Sequence, residues 1–454
     1  MNENRPPLDH FSRWVKHSVT LKLLTIGILV LILLIPSSMI RSIIREREKT
    51  RFETEKEVSD MWADRQTIAG PVVHVPLIYE MQKKVKIKDA EAYKIEKYDV
   101  KKVLTILPSQ LKIGGEISPK KLRRGIYEIV VYNSKMEING SFDLDVKFDE
   151  TNLKKVIWED AFVTIGISDL RGIQNQMNFK LGTQNHDVKP GTYSSLLESG
   201  VSVPIPNLKE SIGKSIPFEL QLDLNGSRNL SFIPVGGMTT IELKSSWNAP
   251  SFYGSFLPTE REITDKGFIS KWNVLELNRN FPQSWVGIHQ HDISSSAFGV
   301  DLIIPIDDYQ KSMRSAKYAV LTLSLTFLVF FLVEVMNKRK IHPFQYALVG
   351  LGICLFYILL ISISEHTHFN FAYGISAAAI ITMISLYSLT VFKRLKLSLI
   401  LAATLIGIYA FVFVTLQLAD FALLLGSVGL TVILGLTMFF TRNINWYKLG
   451  AIPE

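Results

Sequence analysis

A single cysteine, Cys354, in 454 residues excludes a disulfide framework and any paired-thiol metal or redox site. Whatever folded domain the chain builds must hold without covalent staples. Also missing are the phosphate-cradling G-x-x-x-x-G-K-[ST] run, the H-E-x-x-H pattern and a nucleophile elbow. "PVGGMTT" at 234–240 has glycines and hydroxyls but no lysine at the required place, and reads as a turn or bulge. Basic and aromatic residues interleave in "FLPTEREITDKGFISKW", yet an acid accompanies nearly every base, which argues against a track for a phosphate backbone. No nucleic-acid partner, cofactor or catalytic residue is expected.

Charge is also scarce in six stretches, and that scarcity decides the class. Hydrophobic residues make up 47% of the chain and charged ones 20%, values that suit a globular protein until their distribution is considered. Windows of about 20 apolar residues, enough to cross a hydrocarbon core about 30 Å thick, cover 21–40, 318–336, 343–363, 369–391, 397–418 and 421–440. The reading is an integral membrane protein: one helix, a long soluble insert, then five helices on short loops. A basic stretch precedes the first window, as in a signal peptide, but no small-residue cleavage pattern follows, and Pro36 is tolerable as a kink in a spanning helix.

Lysine and arginine in the short loops set orientation. Lys338, Arg339 and Lys340 fill one loop and Lys393, Arg394 and Lys396 another, while Arg442 and Lys448 follow the last window and Arg5, Arg13, Lys16 and Lys22 precede or begin the first. The intervening "SEHTHFN" and "QLADF" carry none. Both termini are therefore expected in the cytoplasm, with 41–317 on the far side. Only Glu3, Asp9 and Glu454 oppose these bases, so the formal net charge of +8 is topological rather than a sign of polyanion binding. The expected layout is a cytoplasmic N-terminus at 1–20, a membrane helix at 21–40, a periplasmic helical stalk at 41–67, a β-rich periplasmic domain at 68–317, five membrane helices over 318–440 and a cytoplasmic tail at 441–454.

Within the insert, "MIRSIIREREKTRFETEKEVSDMW" at 39–62 keeps helical spacing. It reads as a solvated stalk of compensating charges, with a partner-binding helix as the alternative. After 68–71 the pattern changes to period two, rich in β-branched and aromatic residues, which predicts a mainly antiparallel β domain. Asn139-Gly140 and Asn225-Gly226 predict hairpin turns. The N-x-S/T matches at Asn139, Asn225 and Asn229 are read as turn chemistry rather than glycosylation.

Few residues offer chemistry. Asp169 and Arg171, beside Gly172, would form a structural pair, with an anion-binding arginine as the alternative. Glu334 would pair with Lys338 or reach water, and His342, before Pro343, would cap a helix. Ionisable residues inside a membrane are candidates by default; Glu365, His366 and His368, in the loop between the third and fourth windows, read as loop-to-domain hydrogen bonding at the membrane surface, with a metal or proton site as the alternative. A zinc site needs a third ligand and a second shell, and Asp420 is the one obvious partner.

Six motifs in order, "DLRGI", "SFYGSFLPTEREI", "RSAKYAVL", "IHPFQYALVGL", "SISEHT" and "TRNINWY", make the chain resemble the CreD-type inner membrane proteins, also called cell envelope integrity proteins. The resemblance runs over about 21–447. It implies a bacterial inner-membrane protein linked to envelope integrity, colicin tolerance and β-lactam response, with no established reaction. Matching positions are Asp169, Arg171, Gly172, Phe256, Leu257, Pro258, Arg261, Lys317, Tyr318, His342, Pro343, Gln345, Tyr346, Glu365 and His366. This chain departs from the family pattern at Ser255, where the family has an acid, and at His368, where the family does not generally have histidine. The expectation is a non-enzymatic α+β membrane protein, active through its periplasmic domain, with the bilayer and periplasmic or envelope components as partners. A transporter or lipid-handling protein is the alternative, and a metal-dependent envelope hydrolase the remote one.

Overall fold

A computed structural model describes residues 19–86, 93–193, 196–287, 291–304, 308–337, 341–418, 421–442 and 444. Arg5, Arg13, Lys16, Lys338, Arg339, Lys340, Asp420 and Lys448, which entered the charge and metal arguments, lie outside them. The chain forms two compact units, one of Met1–Arg51 with Ile306–Glu454 and one of Phe52–Pro305.

Among the described residues, six helices, the first of them running on from the first unit into the second, are long and apolar enough to cross a membrane. They are α1 (Val19–Trp62), α3 (Ala319–Met336), α4 (Pro343–Ser364), α5 (Phe369–Phe392), α6 (Leu395–Gln417) and α7 (Ala422–Thr441), with a shorter α2 (Asp308–Lys317) before α3. The boundaries follow local chemistry. His342 caps α4 with Pro343 at its first position, and α5 stops at Lys393 in a left-handed conformation, φ 50°. Pro36 lies within α1 without ending it. The apolar core draws on α3, α4, α5 and α6, with Leu323, Phe330, Ile353, Phe356, Ile380, Leu401 and Leu405 all buried. At the other extreme, α7 has no buried residue. A helix apolar all round suits a lipid solvent rather than water.

The second unit is a two-sheet β domain. Its strands are β1 (Gln66–Lys86), β2 (Tyr93–Ile106), β3 (Gln110–Arg124), β4 (Tyr127–Asp143), β5 (Leu153–Val156) and β6 (Phe162–Ile167). Then come β7 (Asn178–Leu181), β8 (Gln184–Asp187), β9 (Lys189–Pro190), β10 (Gly200–Pro204), β11 (Ser215–Ser227) and β12 (Asn229–Ile233). The last are β13 (Met238–Ser245), β14 (Pro250–Gly254), β15 (Glu260–Thr264), β16 (Gly267–Leu275), β17 (Ser284–Val286) and β18 (Phe298–Leu302). One sheet runs β14-β18-β12-β1-β6-β10-β9, with β2 and β5 also on β1 and β17 on β2; the other runs β15-β16-β13-β3-β4-β11-β7-β8. Among the described residues, only β1 with β12 and β3 with β13 pair in parallel. Alternation along β11, exposed then buried from Ser215 to Leu222, is the period-two pattern of a sheet with one covered face. Side chains of both sheets, among them Val163, Phe232 and Phe298 from one and Ile138, Phe218 and Trp272 from the other, share one core.

Both Asn-Gly hairpins are corrected. Asn139 and Gly140 lie inside β4, and Asn225 and Gly226 inside β11, paired along their length. The glycines serve close approach instead of positive φ. A Cβ on Gly140 would strike the Gln110 carbonyl and the Phe218 ring, and one on Gly226 would strike the Tyr132 hydroxyl. The turns fall at Gly125, φ 61°, and Arg228, φ 57°. Asn225 and Asn229 are buried, as strand positions rather than exposed turn tips.

Candidate functional site

The charged residues of the helical unit gather at two levels of α1. Near its start, Lys22 pairs with Glu334 of α3. Glu334 is only 4% exposed and also accepts from the Ile341 amide at 2.8 Å and the Tyr346 hydroxyl at 2.9 Å. Every carboxylate oxygen therefore has a donor, the condition under which a buried charge is tolerated. The expectation that Glu334 reaches water is overturned, because α1, α3 and α4 close over it; its partner among the described residues is Lys22.

The second level is Glu365, in the loop between α4 and α5. Arg47 of α1 places Nε 3.5 Å from Glu365 Oε1, and the Tyr309 hydroxyl of α2 lies 3.5 Å from the same oxygen. Lys22 and Arg47 are roughly 37 Å apart along a helix rising 1.5 Å per residue, enough to bracket a hydrocarbon core. His366 and His368 are exposed, and His368 stands at the N-terminal boundary of α5 without a side-chain cap bond. Glu365 is thus engaged with Arg47 rather than grouped with the two histidines. Among the described residues no three potential ligands cluster for a metal ion.

In the β unit, the last turns of α1 meet the sheet. Val58 is buried against Ile129 and Val131 of β4. Trp62 Nε1 donates to the Tyr132 carbonyl at 3.3 Å, and Ser227 Oγ to the Ala63 carbonyl at 2.6 Å. Arg228 pairs with Glu55 at 2.7 Å. Glu55 and, through Arg124 of β3, Glu57 therefore find partners in the β unit.

Asp169, Arg171 and Gly172 complete that clasp. They sit on a single 3-10 turn, Leu170–Gly172, with Asp169 as its N-cap, rather than on one face of an extended strand. Asp169 accepts from Arg171 Nη2 at 2.7 Å and Nε at 2.9 Å, and from the Asp64 amide at 2.9 Å. Arg171 also donates to the Asp60 carbonyl at the end of α1. The hydrogen bonds from Arg171 pull the Asp169 carboxyl down to about 2, against partial desolvation. Gly172 is required by crowding, since a Cβ there would strike the Asn225 carbonyl and Gln66 Nε2. Gln66, wholly buried, ties the turn to β11 by donating to the Asp169 and Asn225 carbonyls, 2.9 Å each.

The remaining candidates stand apart. His342 Nδ1 accepts from the Phe344 amide at 3.2 Å while Gln345 accepts from the His342 amide at 3.0 Å, a reciprocal helix cap. Arg261 is exposed on β15, at the rim of the second sheet. Leu257, in the "FLP" motif, is 63% exposed.

Sequence reasoning missed four groups. Lys22 and Arg47 were counted as loop or stalk charges; the signal available for Lys22 was an opposite charge, Glu334, at the end of another apolar window on the same predicted side. His74 is buried and bonds Thr164 Oγ1 at 2.8 Å; burial pushes it down to about 3. Arg279 reaches the carbonyls of Val235, Gly236 and Phe281 and holds the "PVGG" turn, while burial lowers it to about 10.

Comparison with known proteins agrees with this architecture. The family model described as "Inner membrane protein CreD" matches residues 18–447. The Inner membrane protein CreD of Escherichia coli (strain K12) is 31% identical over 428 residues, which covers 94% of this chain and 93% of that protein. With an apolar first helix, a central β domain and a C-terminal apolar bundle all inside the matched span, the chain belongs to the CreD family of inner membrane proteins.

Proposed function

We propose that the protein supports cell envelope integrity and stress tolerance without catalysing a reaction, its β unit meeting envelope components on the periplasmic side while both termini stay in the cytoplasm. The observation that carries this reading is the employment of the charged groups. Glu334, Glu365, Asp169 and Arg171 each bind α1 or its end, so the residues with the best claim to chemistry are occupied in holding a helix. Lysine and arginine, present in the short loops on one side and absent from those on the other, support the orientation.

The test is complementation of a deletion strain challenged with detergent and a β-lactam. Wild type, His366→Ala and His368→Ala are expected to restore resistance at equal membrane levels. Failure of either histidine variant at a normal level would overturn the reading in favour of chemistry at the outer loop.

One observation favours lipid handling as a second reading. An apolar crevice of about 390 Å³ lies among α3, α6 and α7, lined by Leu325, Leu332, Ile400, Ile408 and Phe440 with few polar groups. Lipid flipping in proteoliposomes that is lost on Ile408→Trp would promote it.

A further inference from the structure

The first half of β1 is sheet interior, and its second half is not. From Glu80↔Asp99 to Lys86↔Tyr93 it pairs with β2, and β5 reaches only Leu77–Tyr79. Every β2 residue from Tyr93 to Asp99 is exposed, as are Met81, Gln82, Lys83 and Lys84. A ribbon of two strands is marginal in water unless something covers it. This one exposes Met81 at 38%, Tyr93 at 64%, Ile95 at 56% and Tyr98 at 47%. Lysines alone would guard its open edges against pairing with another chain, but such a guard has no use for four large apolar side chains.

Its charge points to a partner. Glu80 is already paired with Lys97 and Asp99 with Lys154, both at 2.8 Å, and Glu96 lies 4.0 Å from Lys94. Among the described residues, no ion pair engages Lys83, Lys84 or Lys101. The cross-strand register puts Met81 beside Tyr98 and Lys84 beside Ile95, so cations and apolar groups alternate over both ribbon faces.

We propose that this ribbon docks on an anionic bilayer surface, its tyrosines and aliphatic side chains entering the headgroup layer and its unpaired lysines meeting lipid phosphates. Tyrosine favours that depth, and basic residues near an anionic leaflet each add to binding. A soluble polyanion would use the lysines and leave Met81, Ile95 and Tyr98 in water. The proposal deepens the reading above by naming the envelope component as lipid, and it rests on that reading for the place where the contact occurs.

The experiment uses the full chain. Cys354 is buried, so Gln82→Cys, on the ribbon, takes a polarity-sensitive dye. The labelled protein is placed in nanodiscs of phosphatidylcholine, in nanodiscs that also contain phosphatidylglycerol, and in phosphatidylcholine nanodiscs mixed with phosphatidylglycerol vesicles. A blue shift in either anionic arm, absent with phosphatidylcholine alone, is expected. Reversing Lys83, Lys84 and Lys101 together to Glu should weaken the vesicle response by more than about tenfold, and Ile95→Ser with Tyr98→Ser should reduce it at unchanged charge. No shift in either anionic arm, the same shift with soluble polyphosphate, or a response indifferent to charge reversal would overturn the proposal. Complementation in cells is scored separately, so a silent ribbon beside restored resistance removes the lipid contact and leaves the envelope role standing.

Discussion

The helical unit and the β unit hold α1 by different means. In the helical unit a buried carboxylate, Glu334, has one cation among the described residues, Lys22, with a hydroxyl and an amide completing its bonds. In the β unit, Asp169 and Arg171 are supported by backbone amides and carbonyls on several elements, and the Arg171 side chain is 55% exposed. Attraction between charges rises as the dielectric falls, and so does the cost of leaving one unpaired. The contrast teaches that clamps alike in a contact diagram differ in what their loss does. A pair alone in an apolar setting fails as a unit, whereas one shared with backbone and water degrades by parts.

The comparison is broken most directly at Glu334. Lys22→Ala leaves a buried carboxylate without its cation and is expected to cost roughly 3–5 kcal/mol, read as loss of helical signal at lower temperature or denaturant in detergent. The double change Lys22→Met with Glu334→Gln should recover most of the loss, because the desolvated charge is gone as well as its partner. A Lys22→Ala protein as stable as wild type would mean that water reaches Glu334 after all.

His74 sharpens the contrast from the other side, as a buried β-unit group with no opposite charge. Its pKa falls from 6.5 to about 3 on folding, so between those values the unfolded chain binds a proton that the folded chain does not. Stability therefore declines as pH falls from 6.5 towards 3, by up to about 1.4 kcal/mol per pH unit. Unfolding of the β signal followed across that range should lose this slope in His74→Gln. An unchanged slope in the variant would assign the acid sensitivity elsewhere.

A smaller effect is expected at the clasp. The Asp169 carboxyl, held near 2 by Arg171 against an ordinary 3.8, contributes fully above about pH 4, and its contribution is lost as pH falls through 2. Because Arg171 is largely exposed, solvent screens the pair, and Asp169→Asn at neutral pH should cost only about 1 kcal/mol. Asp169→Ala should cost more than Asp169→Asn in the same denaturant titration, since the Asp64 and Arg171 amides then lose their acceptor.

The α+β layout was legible in the sequence because it rests on strong signals: apolar runs of membrane length and a change of period after 68–71. What escaped depends on contacts across long sequence separations. Gly140 and Gly226 follow asparagine in strands that need room for Phe218 and Tyr132, and no local rule distinguishes that need from the positive φ of a turn. The Lys22–Glu334 pair spans 312 positions, so its members read as two separate interface charges. Asp169 with Arg171 was legible as a structural pair, but its target, the end of α1, was not, because Asp60 and Asp64 carry no pattern of their own.

Glu365 should give the smallest change and so tests whether geometry, rather than mere pairing with α1, sets the scale. Its distances to Arg47 Nε and the Tyr309 hydroxyl are both 3.5 Å, longer than the 2.7–2.9 Å or so of a well-formed charge-assisted bond, and the Arg47 side chain is 51% exposed. Glu365→Gln retains an acceptor at the same place, so a loss of about 0.5 kcal/mol or less is expected. A double-mutant cycle with Arg47→Ala isolates the pair from the other contacts of Arg47, and a coupling under about 1 kcal/mol is expected. Were that coupling to equal the Lys22–Glu334 value measured the same way, exposure would not decide the strength of these clamps. Both levels of α1 would then be equally committed to the bundle.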